Sequence, residues 1–172
     1  MADCRQWFAI ISVTPVITSK MSSRQSKSRG GQVRKPLTKT LLLPMDQTSA
    51  GQRSLSCHLA LVACRDGHGN SHLINELMHA VYLSWYLLRA GYGNLPAEQF
   101  KIAEYAVENT LANAHETGEW RLASDVISDF ETLLGLYDAQ LASARLHEVL
   151  EAERQLGRFL TGKCNSPISL SP

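Results

Sequence analysis

The stretch SHLINELMHAVYLSWYLLRA, residues 71–90, decides the fold. Its apolar residues recur at spacings of three and four, and they include Leu73, Leu77, Val81, Trp85 and Leu88. This is the period of an α-helix with one broad apolar side. The segment ends before Gly91, a residue type that commonly follows a helix C-terminus. The pattern therefore predicts a central helix that is buried on most of its circumference.

Helical periodicity continues on both sides of this segment. Leu55, Leu59, Val62 and Ala63 share one face of a helix predicted over Ser54 to Arg65, and we expect that face to be buried. Later apolar residues predict helices over 96–117, over 124–141 with a Ser124-Asp125 cap, and over 143–162 with a Ser143 cap. Strand-type alternation is absent and the links are short. The sequence predicts an all-α class, an antiparallel bundle or array of four to five helices spanning residues 54–162.

Charge divides the chain into two parts. Residues 1–53 carry nine Lys or Arg against Asp3 and Asp46, a formal +7, whereas the remainder carries eight basic and fourteen acidic residues, a formal −6. The run from Ser19 to Lys39 has almost nothing apolar to bury, so it cannot offset its own ordering entropy. We predict a disordered basic arm over 1–53, in which Thr40 to Met45 docks on the domain as an extended segment, and a disordered tail over 163–172. A translation start near Met21 instead of Met1 is an open alternative.

Cellular location is predicted from what the sequence lacks. No window approaches the roughly 18 uninterrupted apolar residues of a membrane span. Pro15 interrupts the short apolar run Trp7 to Ile17, and no convincing cleavage site follows it. Four scattered cysteines fit reduced thiols, with Cys57 and Cys64 as small apolar packing residues on one helix face. We expect a cytoplasmic protein with no membrane association.

The arm predicts a nucleic-acid contact. Lys and Arg side chains can neutralise DNA phosphates without a folded surface, and the candidate residues are Arg24, Lys27, Arg29, Arg34, Lys35 and Lys39. The arm holds no aromatic residue between them that could stack on bases, so the predicted binding is salt-sensitive and indifferent to sequence. A solubilising tail without a DNA role is the alternative. A helix-turn-helix over 147–164 is disfavoured, since Glu153 stands where that motif places a small residue.

Catalytic and metal-binding patterns are incomplete. No Gly-x-Ser-x-Gly motif and no Gly-rich phosphate loop is present. Glu76-x-x-His79, with His72 one turn earlier, is half of a bundle di-iron motif, and the second half is missing. His68-x3-His72 has zinc-ligand spacing but no accompanying cysteine pair. We therefore predict a protein that is not an enzyme and carries no metal and no cofactor.

The runs LTKTLLLPM (37–45) and LSCHLALVACRDGHGNSHLINELMHAVYLSWYLLRAGYG (55–93) resemble a family of short proteobacterial proteins. Many members come from plasmid or mobile-element contexts, and they are often labelled Fis family transcriptional regulators. The resemblance spans about Leu37 to Phe159, and its most particular piece is CRDGHGNSHLINEL. It implies a bacterial cytoplasmic protein with a role in transcription or nucleoid association, and it assigns no functional residue.

Two hypotheses about function follow. The first is a DNA-associated regulator whose arm contacts phosphates while the helical body forms a homodimer or binds a protein partner. The second is a protein-interaction module without a nucleic-acid role. Its docking surface would be the exposed part of the aromatic set Tyr82, Trp85 and Tyr86.

Overall fold

The computed structural model describes residues 37–162 and 166–168. Its α-helices are α1 (Lys39–Leu42), α2 (Gln47–Arg65), α3 (Ser71–Arg89), α4 (Ala97–Thr117), α5 (Ile127–Ser143) and α6 (Leu146–Thr161). One 3-10 turn, Ser124–Val126, precedes α5. Over this part of the chain the only β-type pairing is an isolated bridge between Pro44 and Arg145. The predicted all-α class is confirmed.

Helix α3 lies at the centre of the helical bundle. It packs against α2, α4, α5 and α6. Ten of its residues are buried, and among them Ile74, Leu77, Leu83 and Leu87 are completely shielded from solvent. The prediction of a central helix buried on most of its circumference is confirmed, because an apolar stripe this broad needs neighbours on several sides.

The link between α2 and α3 depends on a close approach of two backbones. The Asn70 side chain accepts a hydrogen bond of 3.0 Å from the Leu73 amide and so caps α3. One residue earlier, a Cβ atom at Gly69 would lie 2.1 Å from the carbonyl oxygen of Trp120. Only glycine fits there, and this fit lets the loop before α5 pack across the α2–α3 link.

Helix α2 begins earlier than the sequence predicts. Its N-cap is Asp46, whose side chain accepts a hydrogen bond of 2.9 Å from the Ser49 amide. The predicted start at Ser54, and with it the boundary of the arm at residue 53, therefore falls inside a continuous helix. Residues 47–54 look unlike a helix because Thr48, Ser49 and Gly51 have weak helix propensity. The Asp46 cap and the burial of Ala50 against the core compensate.

Residues 39–45 dock on the start of α6. The Leu146 amide donates to the Leu43 carbonyl at 2.8 Å, and Nδ1 of His147 lies 2.9 Å from the Leu41 carbonyl oxygen. The expectation of an extended docked segment is right for Leu43 to Met45. It is wrong for Thr40 to Leu42, which belong to the helical turn Lys39–Leu42 that packs on α6.

Residues 166–168 belong to the packed domain rather than to a disordered tail. Ile168 is 2% exposed and joins the hydrophobic core. The Trp85 indole donates to the Pro167 carbonyl at 3.1 Å, and Lys101 Nζ donates to Ser166 Oγ at 2.8 Å. The polar composition of the surrounding residues conceals this single apolar anchor.

The predicted caps of the last two helices are not formed. Ser124 and Asp125 lie in the 3-10 turn, and α5 begins at Ile127 without a side-chain cap. Ser143 is the last residue of α5, and its hydroxyl donates to the Ala139 carbonyl. Serine can bond to a preceding helical carbonyl as well as cap the next helix, and here the first use prevails.

We predict that Leu77→Asp or Val81→Asp unfolds the domain. Both residues are fully buried on α3. An unpaired buried carboxylate costs several kcal/mol, against a total stability of about 5 to 15 kcal/mol. Thermal unfolding followed by circular dichroism measures the effect. The control is Tyr105→Asp on α4, because Tyr105 is 65% exposed and its loss should leave the melting temperature nearly unchanged. Wild-type melting of both α3 variants would contradict the central place of α3.

Candidate interaction surface

An apolar ridge on α2 faces solvent. Leu55 and Leu59 are each 58% exposed, and Val62 is 43% exposed. The three residues are spaced four and three apart, so they line one side of the helix. The prediction that this face is buried is wrong. We call Leu55, Leu59 and Val62 the α2 ridge.

The opposite face of α2 is the one that packs on α3 and α5. Its buried residues are mostly small: Ala50, Cys57, Ala60, Leu61 and Cys64. Small side chains let two helices approach closely, and the close approach shields them fully. The periodicity of large apolar residues therefore predicted the wrong buried face, namely the one that carries the ridge. The signal that identifies the true face is the recurrence of Ala and Cys on the other side.

Polar pairs border the ridge without crossing it. Nε2 of His58 lies 2.9 Å from Oδ2 of Asp138 on α5. Nη1 of Arg53 lies 2.5 Å from Oε1 of Glu153 on α6. At the other end of the helix Arg65 pairs with its neighbour Asp66 at 2.9 Å. These side chains already have polar partners, so a molecule that covers the ridge need not supply a hydrogen bond or an ion pair to them.

The exposed side of α5 is lined by small residues in its second half. Gly135, Ala139 and Ala142 are exposed at spacings of four and three, and a Cβ atom at Gly135 would have no neighbour within 4 Å. We call these residues the α5 stripe. His58 lies one turn from Leu55 and Val62, and its partner Asp138 lies one turn from the α5 stripe. The His58–Asp138 pair therefore lies between the α2 ridge and the α5 stripe, and both belong to one face of the domain.

The aromatic residues of α3 do not form the predicted docking surface. Tyr82 is 5% exposed, and its hydroxyl donates to Oε1 of Glu104 at 2.8 Å. Trp85 is 6% exposed and packs edge-on against Phe100 with 5.3 Å between ring centroids. Tyr86 is half-buried and packs on the core. These rings pack in or against the hydrophobic core, and the exposed apolar surface lies on α2 instead.

The structure describes one of the six predicted DNA-contacting residues. Lys39 is exposed at the start of α1. The remaining five, Arg24, Lys27, Arg29, Arg34 and Lys35, lie outside the described residues. Arg53, which the charge count assigned to the arm, belongs to α2 and pairs with Glu153.

Most basic side chains of the helical body are engaged by carboxylates. Lys101 pairs with Glu104 at 2.8 Å, and Arg154 and Arg158 both pair with Glu151. With Arg53 and Arg65, this accounts for five of the nine Lys and Arg between residues 37 and 162. The same span carries fifteen acidic residues. Its surface therefore disfavours phosphate contacts.

The histidines of α3 are not gathered into a metal site. His72 and His79 are exposed and Glu76 is half-buried. Throughout residues 37–162 and 166–168, no group of three or more His, Cys, Asp and Glu side chains could hold a metal ion.

The two described thiols are suited to packing rather than to reaction. Cys57 and Cys64 are 4% and 0% exposed on one face of α2, as predicted. Burial raises the pKa of Cys57 to about 12, with Glu76 and Asp138 adding to the shift, and burial raises the pKa of Cys64 to about 11. Both therefore stay protonated near neutral pH, and a thiol is a poor nucleophile in that form.

We predict that Cys57 and Cys64 resist alkylation in the native protein. At pH 8 a thiol of pKa about 12 is ionised in only about one molecule in ten thousand. Iodoacetamide labelling of a Cys4→Ser/Cys164→Ser variant, read by mass spectrometry, should be slow without denaturant and complete in urea. Rapid native labelling of either thiol would show that the packed face of α2 opens to solvent.

Across the described residues, no helix has the combined length and apolar character needed to cross a bilayer. No family model, curated protein or solved structure matches this chain.

Proposed function

We propose that this chain is a non-enzymatic accessory protein that acts by binding, with the α2 ridge as its protein-docking surface. The carrying observation is the exposure of Leu55, Leu59 and Val62 on a helix whose opposite face is buried. Exposing three aligned large apolar side chains favours binding to an apolar partner surface. A partner helix or helix pair fits best, because residues spaced four and three apart meet another helix along its length.

The chemistry of the polar groups supports binding rather than catalysis. The described thiols have raised pKa values and are buried. The buried carboxylate of Glu104 is held by Tyr82 and Lys101. Neither arrangement presents an activated nucleophile or base to solvent.

We predict that complexes formed by this protein depend on the ridge. Lysine crosslinking in an extract of cells that express the chain should capture complexes with a second copy or with another protein. Leu55→Ser/Leu59→Ser should abolish these complexes. The matched control is Ile102→Ser/Tyr105→Ser on α4, which alters a comparable exposed apolar pair. Equal crosslinking by the ridge variant and the wild type would contradict the proposed function.

DNA association through the basic segment is a second candidate, and it carries the regulatory role that the family resemblance implies. Residues 1–36 hold seven Lys or Arg against one Asp, while residues 37–162 hold nine against fifteen acidic residues. A contact with phosphates is therefore supported only for the N-terminal segment. Such a contact would be strong at low salt and indifferent to sequence.

We predict that replacing Arg24, Lys27, Arg29, Arg34, Lys35 and Lys39 with Gln removes DNA retardation in gel-shift titrations. The slope of log affinity against log salt should fall by up to about 5, because each phosphate contact contributes about 0.9. The control Arg89→Gln/Arg121→Gln/Arg145→Gln removes exposed bases of the body and should leave binding unchanged. Loss of binding in the control alone would place the contact on the folded body.

A further inference from the structure

We propose that the partner on the α2 ridge is a second copy of this chain, and that the ridge of each protomer packs on the α5 stripe of the other. This inference rests on the proposed function and names the occupant of that surface.

The shape of the face is self-complementary. The ridge carries three large exposed side chains, whereas the exposed residues Gly135, Ala139 and Ala142 on the neighbouring helix are small. The α2 ridge and the α5 stripe each span eight residues, 55–62 and 135–142. Side chains of one helix that enter a groove on another are the usual basis of helix packing. A face that holds both parts side by side can satisfy itself in an isologous dimer.

The direction of the two helices fixes the register. The Leu122 amide donates to the Cys64 carbonyl, so α5 starts where α2 ends, and His58 meets Asp138 further along. The two helices are thus antiparallel. A two-fold axis parallel to them and lying in the interface would carry α2 of one protomer onto α5 of the other at the same height.

In this arrangement Leu55 meets Ala142, Leu59 meets Ala139 and Val62 meets Gly135. The four helices α2 and α5 of both protomers then form an antiparallel bundle in which every neighbouring pair is antiparallel. The contact ends at Arg65, which would lie near Glu131 of the other protomer. Within one chain Asp66, and to a smaller extent Glu131, raise the pKa of Arg65, so both carboxylates already lie near its guanidinium.

The charge distribution favours the same occupant. The centre of the face, from Leu55 to Val62 and from Gly135 to Ala142, presents His58 and Asp138 to each other and no further charged side chain. A partner with many charged groups would meet only this one pair there. A second copy brings the same His58–Asp138 pair and no further charged side chain, so each pair keeps the partner that it has within one chain.

Sedimentation equilibrium of the purified full chain, over about a hundredfold range of concentration, tests the proposal. We expect a reversible dimer that Leu59→Ser and Gly135→Leu each weaken at least tenfold. A Cβ atom at position 135 has no neighbour within 4 Å in one protomer, so Gly135→Leu should fold normally. The melting temperature of the variant checks this. Gly157→Leu on α6 is the matched control, since Gly157 is an equally open helical glycine away from the face, and it should leave the dimer unchanged.

Three outcomes overturn the proposal. A monomer at every concentration rules out the second copy, and ridge-dependent crosslinking to another protein would still support the proposed function. A dimer that ignores both variants lies on another surface. A dimer that Leu59→Ser weakens and Gly135→Leu does not would pair ridge with ridge. In that case Leu59→Cys alone should form a disulfide between protomers. A disulfide that requires both Leu59→Cys and Ala139→Cys would instead pair the ridge with the stripe.

Discussion

The burial of α3 on nearly all sides is the constraint on which the rest of the structure depends. Its apolar residues cannot be covered by one neighbour, so α2, α4, α5 and α6 must each contribute a face. Helix α2 contributes its Ala and Cys side, because small residues allow the closest approach to two helices at once. The larger residues of α2 are then left outside. The exposed ridge is thus a consequence of how the centre is packed.

Buried polar contacts fix how the helices sit around this centre. Gln140 of α5 donates to the carbonyl oxygens of Ser84 and Tyr92, and it accepts a hydrogen bond of 2.6 Å from the Ser84 hydroxyl. On the other side of α3, Tyr82 binds Glu104 of α4. A buried polar group left without its partner costs more than the bond contributes, so these ties penalise any slip of one helix along another. They therefore fix the register of α4 and α5 on α3.

The sequence predicts the elements that packing dictates and misses those that local contacts decide. The 71–90 helix follows from its own broad apolar stripe. The early start of α2 depends on the Asp46 cap and the burial of Ala50, which outweigh the weak propensity of residues 47–54. The placement of Ile168 depends on two helices distant in the chain, because Trp85 of α3 and Lys101 of α4 hold its neighbours Pro167 and Ser166. No local pattern contains these contacts.

The candidate surface shows the limit of periodicity more sharply. The stronger apolar pattern on α2 is that of Leu55, Leu59 and Val62. The face that is buried is nevertheless the Ala–Cys face, because α3 and α5 pack closely against it. Residue spacing alone is compatible with burial of either face. The exposed aromatic surface expected on α3 fails for the related reason that Trp85 and Tyr82 find partners distant in the chain, Pro167 and Glu104.

The most direct measurement is the free energy of unfolding of Leu59→Ala and Leu61→Ala, two leucines two residues apart on α2. Both variants are compared in the Gly135→Leu background, so that contact between copies does not contribute. Leu61 is 4% exposed and Leu59 is 58% exposed. Urea unfolding should therefore show a loss of about 2 to 4 kcal/mol for Leu61→Ala and less than about 0.5 kcal/mol for Leu59→Ala. The reverse order would place the ridge in the core and contradict the account.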